Sequence, residues 1–120
     1  MQGLTIIVAG ADPGRFHAAL SIATSAAALG RPVRMFLQSE AVTLLRPPLR
    51  TQGDGDYEAA GIPGIRDMLA EALAMAVTMT LCQSGLALAG MHADELPPGI
   101  ATGGLVKLLS DGADDQLLAV

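Results

Sequence analysis

This sequence predicts an α/β fold, a three-layer α/β/α sandwich on a mostly parallel sheet of about five strands. Three observations carry that prediction. Leu4–Ala9, "LTIIVA", is a short unbroken apolar run rich in β-branched residues, the pattern of a strand covered on both faces. Short runs of this kind alternate with helix-patterned stretches along the whole chain, as in α/β proteins. Glycines and prolines fall between the two kinds of stretch, where helices and strands must stop.

The elements follow in order. After the first strand, "GADPG" is turn chemistry; Asp12 can cap the next helix and Pro13 suits its first turn. Arg15–Leu29 is helical, Gly30 suits the position after its end, and Pro32 prevents continuation. Pro32–Gln38 is the second strand, and Ser39 can cap a short helix through Leu45 that Pro47 and Pro48 stop. Thr51–Gly64 has several glycines and no periodicity; it reads as a mobile loop that could close over a site. Ile65–Met75 has Ile65, Met68, Leu69, Ala72 and Leu73 on one stripe and Arg66, Asp67 and Glu71 opposite, an amphipathic helix. Ala76–Leu81 is the third strand and Ser84–Met91 a short helix. A brief strand at Ile100, a helix over Gly103–Leu109 and a terminal strand at Gln116–Val120 complete the pattern.

The 120 residues suit one domain spanning 1–120. Aromatic residues make up only 2%, so the core must be built from Ala, Leu, Ile, Val and Met. Apolar residues make up 51%, enough that a small domain of this composition is expected to place some of them in a subunit interface. The net charge of -5, with no basic run and no aromatic platform, argues against nucleic-acid binding. The first residues lack a basic region, and their apolar run is too short for a secretory signal. The longest apolar region, Met68–Met91, is broken by Glu71, Gln83 and Ser84 and does not read as a membrane span. A cytoplasmic, reducing location is the expectation.

The one cysteine, Cys82, excludes an internal disulfide and a multi-cysteine zinc site. It ends the third strand and precedes a helix. In open α/β sheets ligands sit beyond the carboxyl ends of the strands, where three loops meet: Gly10–Gly14, Gln38–Glu40 and Cys82–Ser84. Free N–H groups at the helix start favour an anion, and a thiolate is one. Cys82 is therefore a candidate nucleophile, with Asp12, Gln38, Gln83 and Ser84 as candidate pocket residues. The alternative is a small buried hydrophobe that happens to contain sulfur. Neither His17 nor His92 adjoins Cys82 in sequence, so no Cys-His pair is signalled, and both read as surface or partner-facing residues. Asp12 also reads as a plain helix cap. The third glycine of a dinucleotide fingerprint and the Gly-Lys-Ser/Thr of a P-loop are absent. Met35, Met68, Met75 and Met79 read as core filler, and Glu71, Asp94, Glu95, Asp111, Asp114 and Asp115 as solvated. The residues call for no cofactor and no metal.

Three segments in order, "TIIVAGADPGRFHAALSIATSAAALGRPV", "GIPGIRDMLAEALAMAV" and "LCQSGLALAGMHADELPPGIATGGLVKLL", resemble the DsrE/DsrF-like family of small sulfur-relay proteins, in particular its peroxiredoxin-like DsrE branch. The resemblance runs nearly end to end. It implies a parallel α/β/α sandwich and a homo-oligomer, a trimer or hexamer. It also implies a cysteine, here Cys82, that carries sulfane sulfur as a persulfide between donor and acceptor proteins or low-molecular-weight persulfides. Many relatives carry aromatics after the second strand; "LQSEAV" here has none, which implies a more polar pocket wall. A non-catalytic oligomeric module that binds a small ligand or protein, with Cys82 as a structural residue, is the alternative, as is a subunit that only stabilises a larger assembly.

Overall fold

The computed structural model describes residues 1–50 and 53–120. Its elements are β1 (Leu4–Val8), α1 (Pro13–Ala28), β2 (Val33–Leu37), a 3₁₀ segment (Ser39–Leu45), α2 (Asp54–Ala59) and α3 (Ile65–Ala74). There follow β3 (Thr78–Cys82), α4 (Gln83–Ala89), a 3₁₀ turn (Ala93–Glu95), β4 (Ile100–Gly103), α5 (Leu105–Asp111) and β5 (Gln116–Ala119). The five strands form one sheet in the order β4-β3-β2-β1-β5, and every pairing is parallel.

That order sets the layers. From β1 to β4 each step moves to the adjacent strand in one direction, and right-handed crossovers then place the connecting helices on one face. β5 reverses the direction and returns to pair with β1, so the same handedness puts α5 on the other face. The first face holds the main core. Ile6, Met35 and Met79 are neighbours in register across three strands, and they bury against Phe16, Leu20 and Ala23 of α1 and Leu69 and Ala72 of α3. Each fully buried Leu, Ile or Phe there stabilises the fold by roughly 1.5–3 kcal/mol. Among the described residues the second face is covered by the single helix α5, and alternation places Thr5, Arg34, Phe36, Thr78 and Thr80 on it.

Helix ends follow the sequence closely. The Asp12 carboxylate accepts from the Arg15 N–H at 2.8 Å and caps α1. At the other end Gly30 adopts φ +88°, and the Arg31 N–H returns to the Ala26 carbonyl at 3.1 Å. This is the αL-terminated helix end that glycine allows without a Cβ penalty.

Some expectations need correction. The segment expected as loop from Thr51 to Gly64 contains the helix α2; Thr51 and Gln52 lie outside the described residues. Ser39 does not cap the segment that follows, since Gln38 occupies the cap position and no side-chain cap bond forms there. Gly103 belongs to β4, and α5 starts only at Leu105. Asp115 is not solvated: it accepts the Thr5 hydroxyl at 2.8 Å and lies 3.3 Å from the Arg34 Nε. His17 is not a free surface residue. Its ring stacks on Tyr57 with centroids 4.0 Å apart, and Nε2 donates to the Pro63 carbonyl at 2.8 Å. A carbonyl only accepts, so the proton sits on Nε2. These contacts hold the α2 segment against α1.

Candidate functional site at the carboxyl edge of the sheet

β1, β2 and β3 are adjacent and parallel, so the loops after them share one edge of the sheet. β3 ends at Cys82, which is also the N-cap of α4 with extended backbone angles, φ -62° and ψ 120°. An N-cap side chain folds back onto the open N–H groups of the first turn. Here the cap is a thiol: the Gly85 N–H donates to the Cys82 Sγ at 3.4 Å. Cys82 is half-buried, and its sulfur is free of any disulfide.

Two opposed effects set the charge state of the thiol. Desolvation, the larger single effect, pushes its pKa up. The backbone N–H groups of Ser39, Gly85 and Ser84 act together against it, because each is a donor to the anion. Their sum wins and holds Cys82 below the usual thiol range. The thiolate fraction at neutral pH is raised accordingly, and the thiolate is the nucleophilic form.

Ser39 reaches the sulfur through an unusual backbone. It sits at φ +53°, in the left-handed region that non-glycine residues enter at a cost. The turn carries the chain from β2 across the first turn of α4. Gly85 makes that approach possible. A Cβ there would run into the Ser39 carbonyl oxygen and would lie 3.1 Å from its carbonyl carbon. Neither Ser39 nor Gly85 stands out in the sequence as a site residue. The signal that could have found them is a glycine at the third position of a helix directly after the cysteine.

The residues expected to join Cys82 are placed as follows. Ser84 lies in the first turn of α4, where its backbone favours the thiolate, and its side chain is exposed. Gln83 is exposed and lines a depression of about 530 Å³ beside α4, together with Leu86, Met91, His92 and Thr102. A second depression of about 420 Å³ lies on the Ser39 side, lined by Ala9, Ser39, Glu40, Thr43, Gly85, Leu88 and Ala89. The side chain of Asp12 is engaged as the α1 cap, and its loop lies two strands, roughly 10 Å, from Cys82. Neither Asp12 nor Gln38 lines either depression. Gln38 instead joins backbone groups, its N–H donating to the Val8 carbonyl at 2.9 Å. The edge therefore brings together Cys82, Ser39, Ser84 and Gly85, and leaves Asp12 apart.

Comparison with known proteins bears on the fold and the family. No curated protein matches the chain. Among solved structures, YchN from E. coli has the same fold, with a TM-score of 0.75 and 24% identity over the whole of both chains. MTH1491 from Methanobacterium thermoautotrophicum superposes with a TM-score of 0.72 at 17% identity, again over both whole chains. BT1422 from Bacteroides thetaiotaomicron gives 0.65 at 14% identity, covering 97% of this chain and 94% of its own. No helix among the described residues is long and apolar enough to cross a membrane. The sequence model of the DsrE/DsrF-like family matches residues 2–114, and the chain belongs to that family, which is broadly associated with sulfur relay.

Proposed function

We propose that this protein is a cytoplasmic sulfur carrier that accepts sulfane sulfur on Cys82 as a persulfide and passes it to a partner thiol. The observation that carries the reading is the place of the Cys82 sulfur at the N-cap of α4, where the Gly85 N–H donates to it at 3.4 Å and the backbones of Ser39, Gly85 and Ser84 favour its thiolate. The Cys82 thiolate attacks the terminal sulfur of a donor persulfide. The new S–S bond forms on Cys82, the donor S–S bond breaks, and the donor leaves as a thiolate with the bonding pair. The same exchange in reverse loads an acceptor thiolate, so no net oxidant or reductant is needed. No base is required at the moment of attack, because the nucleophile is already an anion. Ser84 and Gly85 then hold the carried persulfide through their N–H groups, and Gln83 flanks the approach.

Intact-protein mass spectrometry after incubation with a persulfide donor tests this directly. The expected result is a gain of one sulfur atom, reversed by reductant and missing from Cys82→Ser. An unmodified native protein, with a thiol that alkylates only after denaturation, would leave the binding-module reading in its place.

The protein acts in this reading as a homo-oligomer, a trimer or hexamer, with sulfur donor and acceptor proteins or low-molecular-weight persulfides as partners. Support comes from the thin second layer. The seven-residue α5 covers five strands, and Val106, Leu109 and Leu117 remain 86%, 47% and 58% exposed. Apolar side chains grouped on one face are what a subunit interface removes from water. Light scattering should give a mass of several chains, and Leu117→Asp should lower it. A monomer at working concentration would end the oligomer reading.

A further inference from the structure

The second face of the sheet holds a cavity of about 180 Å³ between β3, β4 and α5. Arg34, Thr78, Thr80, Ala101, Lys107 and Asp111 line it. By liquid volume it has room for about six waters, which is the scale of one small metabolite.

Its charges are unusual in two respects. The Arg34 Nε is buried and makes no hydrogen bond, although Asp115 Oδ2 lies 3.3 Å away. That oxygen already accepts the Thr5 hydroxyl, and the guanidinium meets it out of line. Among the described residues the outer nitrogens of Arg34 have no hydrogen-bond partner either. Arg34 is thus held in place by charge while its planar fork, which matches a carboxylate, stays unused. Second, the charges balance. Lys107 donates to Asp111 Oδ2, and Arg34 faces Asp115, so two cations meet two anions. A dianion or a dication would leave a partly buried charge uncompensated; a ligand with one charge of each sign would not.

We propose that this cavity binds an amino-acid-sized zwitterion, its carboxylate on the Arg34 fork and its ammonium on Asp111. The Thr78 and Thr80 hydroxyls, both on β3, supply the remaining polar contacts. The site lies on the α5 face and uses none of the groups around the Cys82 sulfur, so it stands independently of the carrier reading.

The probe is S-methyl-L-cysteine, which cannot transfer sulfur, with 2-(methylthio)ethylamine as the same molecule without its carboxylate. Amide shifts of the full-length protein are followed during titration. The expected result is saturable shifts at Thr78, Thr80, Ala101 and Lys107. Binding should weaken by at least about tenfold for the amine and for Arg34→Gln, the loss of one charged bidentate contact. Ala101→Leu fills the cavity without touching a charge and should abolish the shifts, which keeps the test open if Arg34→Gln does not fold. Absence of saturation into the millimolar range, equal binding of the amine, or unchanged binding to Ala101→Leu would each overturn the proposal. Sulfur loading of Cys82 measured on the same sample separates the two readings. Binding with an inert Cys82 sinks only the carrier, and loading without binding sinks only this cavity.

Discussion

Gly85→Ala should destabilise the fold by about 1–3 kcal/mol, the usual cost of forcing an extra carbon into a packed site. The direction is the reverse of the ordinary rule. Alanine in a helix interior normally gains up to about 1 kcal/mol over glycine. At Gly85 the added Cβ meets the Ser39 carbonyl group, and backbone atoms have no rotamer to escape into. Either α4 or the Ser39 turn must move away. The first readout is denaturant unfolding. Gly55→Ala is the control, since a Cβ on Gly55 in α2 has nothing within 4 Å and should be neutral to stabilising. The second readout is the thiol itself. Displacing Ser39 removes one of three donors to the sulfur while leaving desolvation in force, so the Cys82 pKa should rise. A Gly85→Ala protein of unchanged stability and unchanged thiol titration would mean that the close approach of α4 to Ser39 does not matter.

The rate of Cys82 alkylation against pH should have its midpoint below that of the unfolded chain. The cause is the same competition: burial raises the thiol pKa, and the N–H groups of Ser39, Gly85 and Ser84 lower it by more. A depressed folded-state pKa also has a consequence for stability, with a fixed sign. The thiolate's contribution is fully present above the pKa of the unfolded thiol and is lost as pH falls through the lower folded value. The stability difference between the native protein and Cys82→Ser should therefore shift in favour of the native protein as pH rises between those two values. Alkylation of the native state with a midpoint at or above the unfolded one would show that desolvation prevails. The thiol would then be a core group.

The layered sheet was legible in the sequence because its causes are local. Short apolar-rich runs at Leu4–Val8 and Val33–Leu37, interrupted only by Thr5 and Arg34, read as strands, and Asp12, Gly30 and Pro32 mark the ends of α1 through their own backbone preferences. Cys82 at a strand end before a helix was legible for the same reason. α2 was missed because its six residues carry two aspartates and a glycine, and it is held by contacts distant in sequence, His17 on Tyr57 and on Pro63. Asp115 was misread because a carboxylate in a polar tail looks solvated. The parallel pairing of β5 with β1 is what carries it to Thr5 and Arg34.

By itself, then, the sequence determined the order of elements, the covered strands and the position of the one thiol, all of which follow from side-chain periodicity and from residues that fix their own φ and ψ. Tertiary structure alone decided what surrounds that thiol. Ser39 lies 43 positions before Cys82 and meets it because β2 and β3 pair in parallel and Gly85 leaves room for the crossing. It likewise decided that Asp12 stays apart from the cysteine, since β2 stands between their strands. It also left the second face under one short helix, because only one crossover in this topology runs in the return direction.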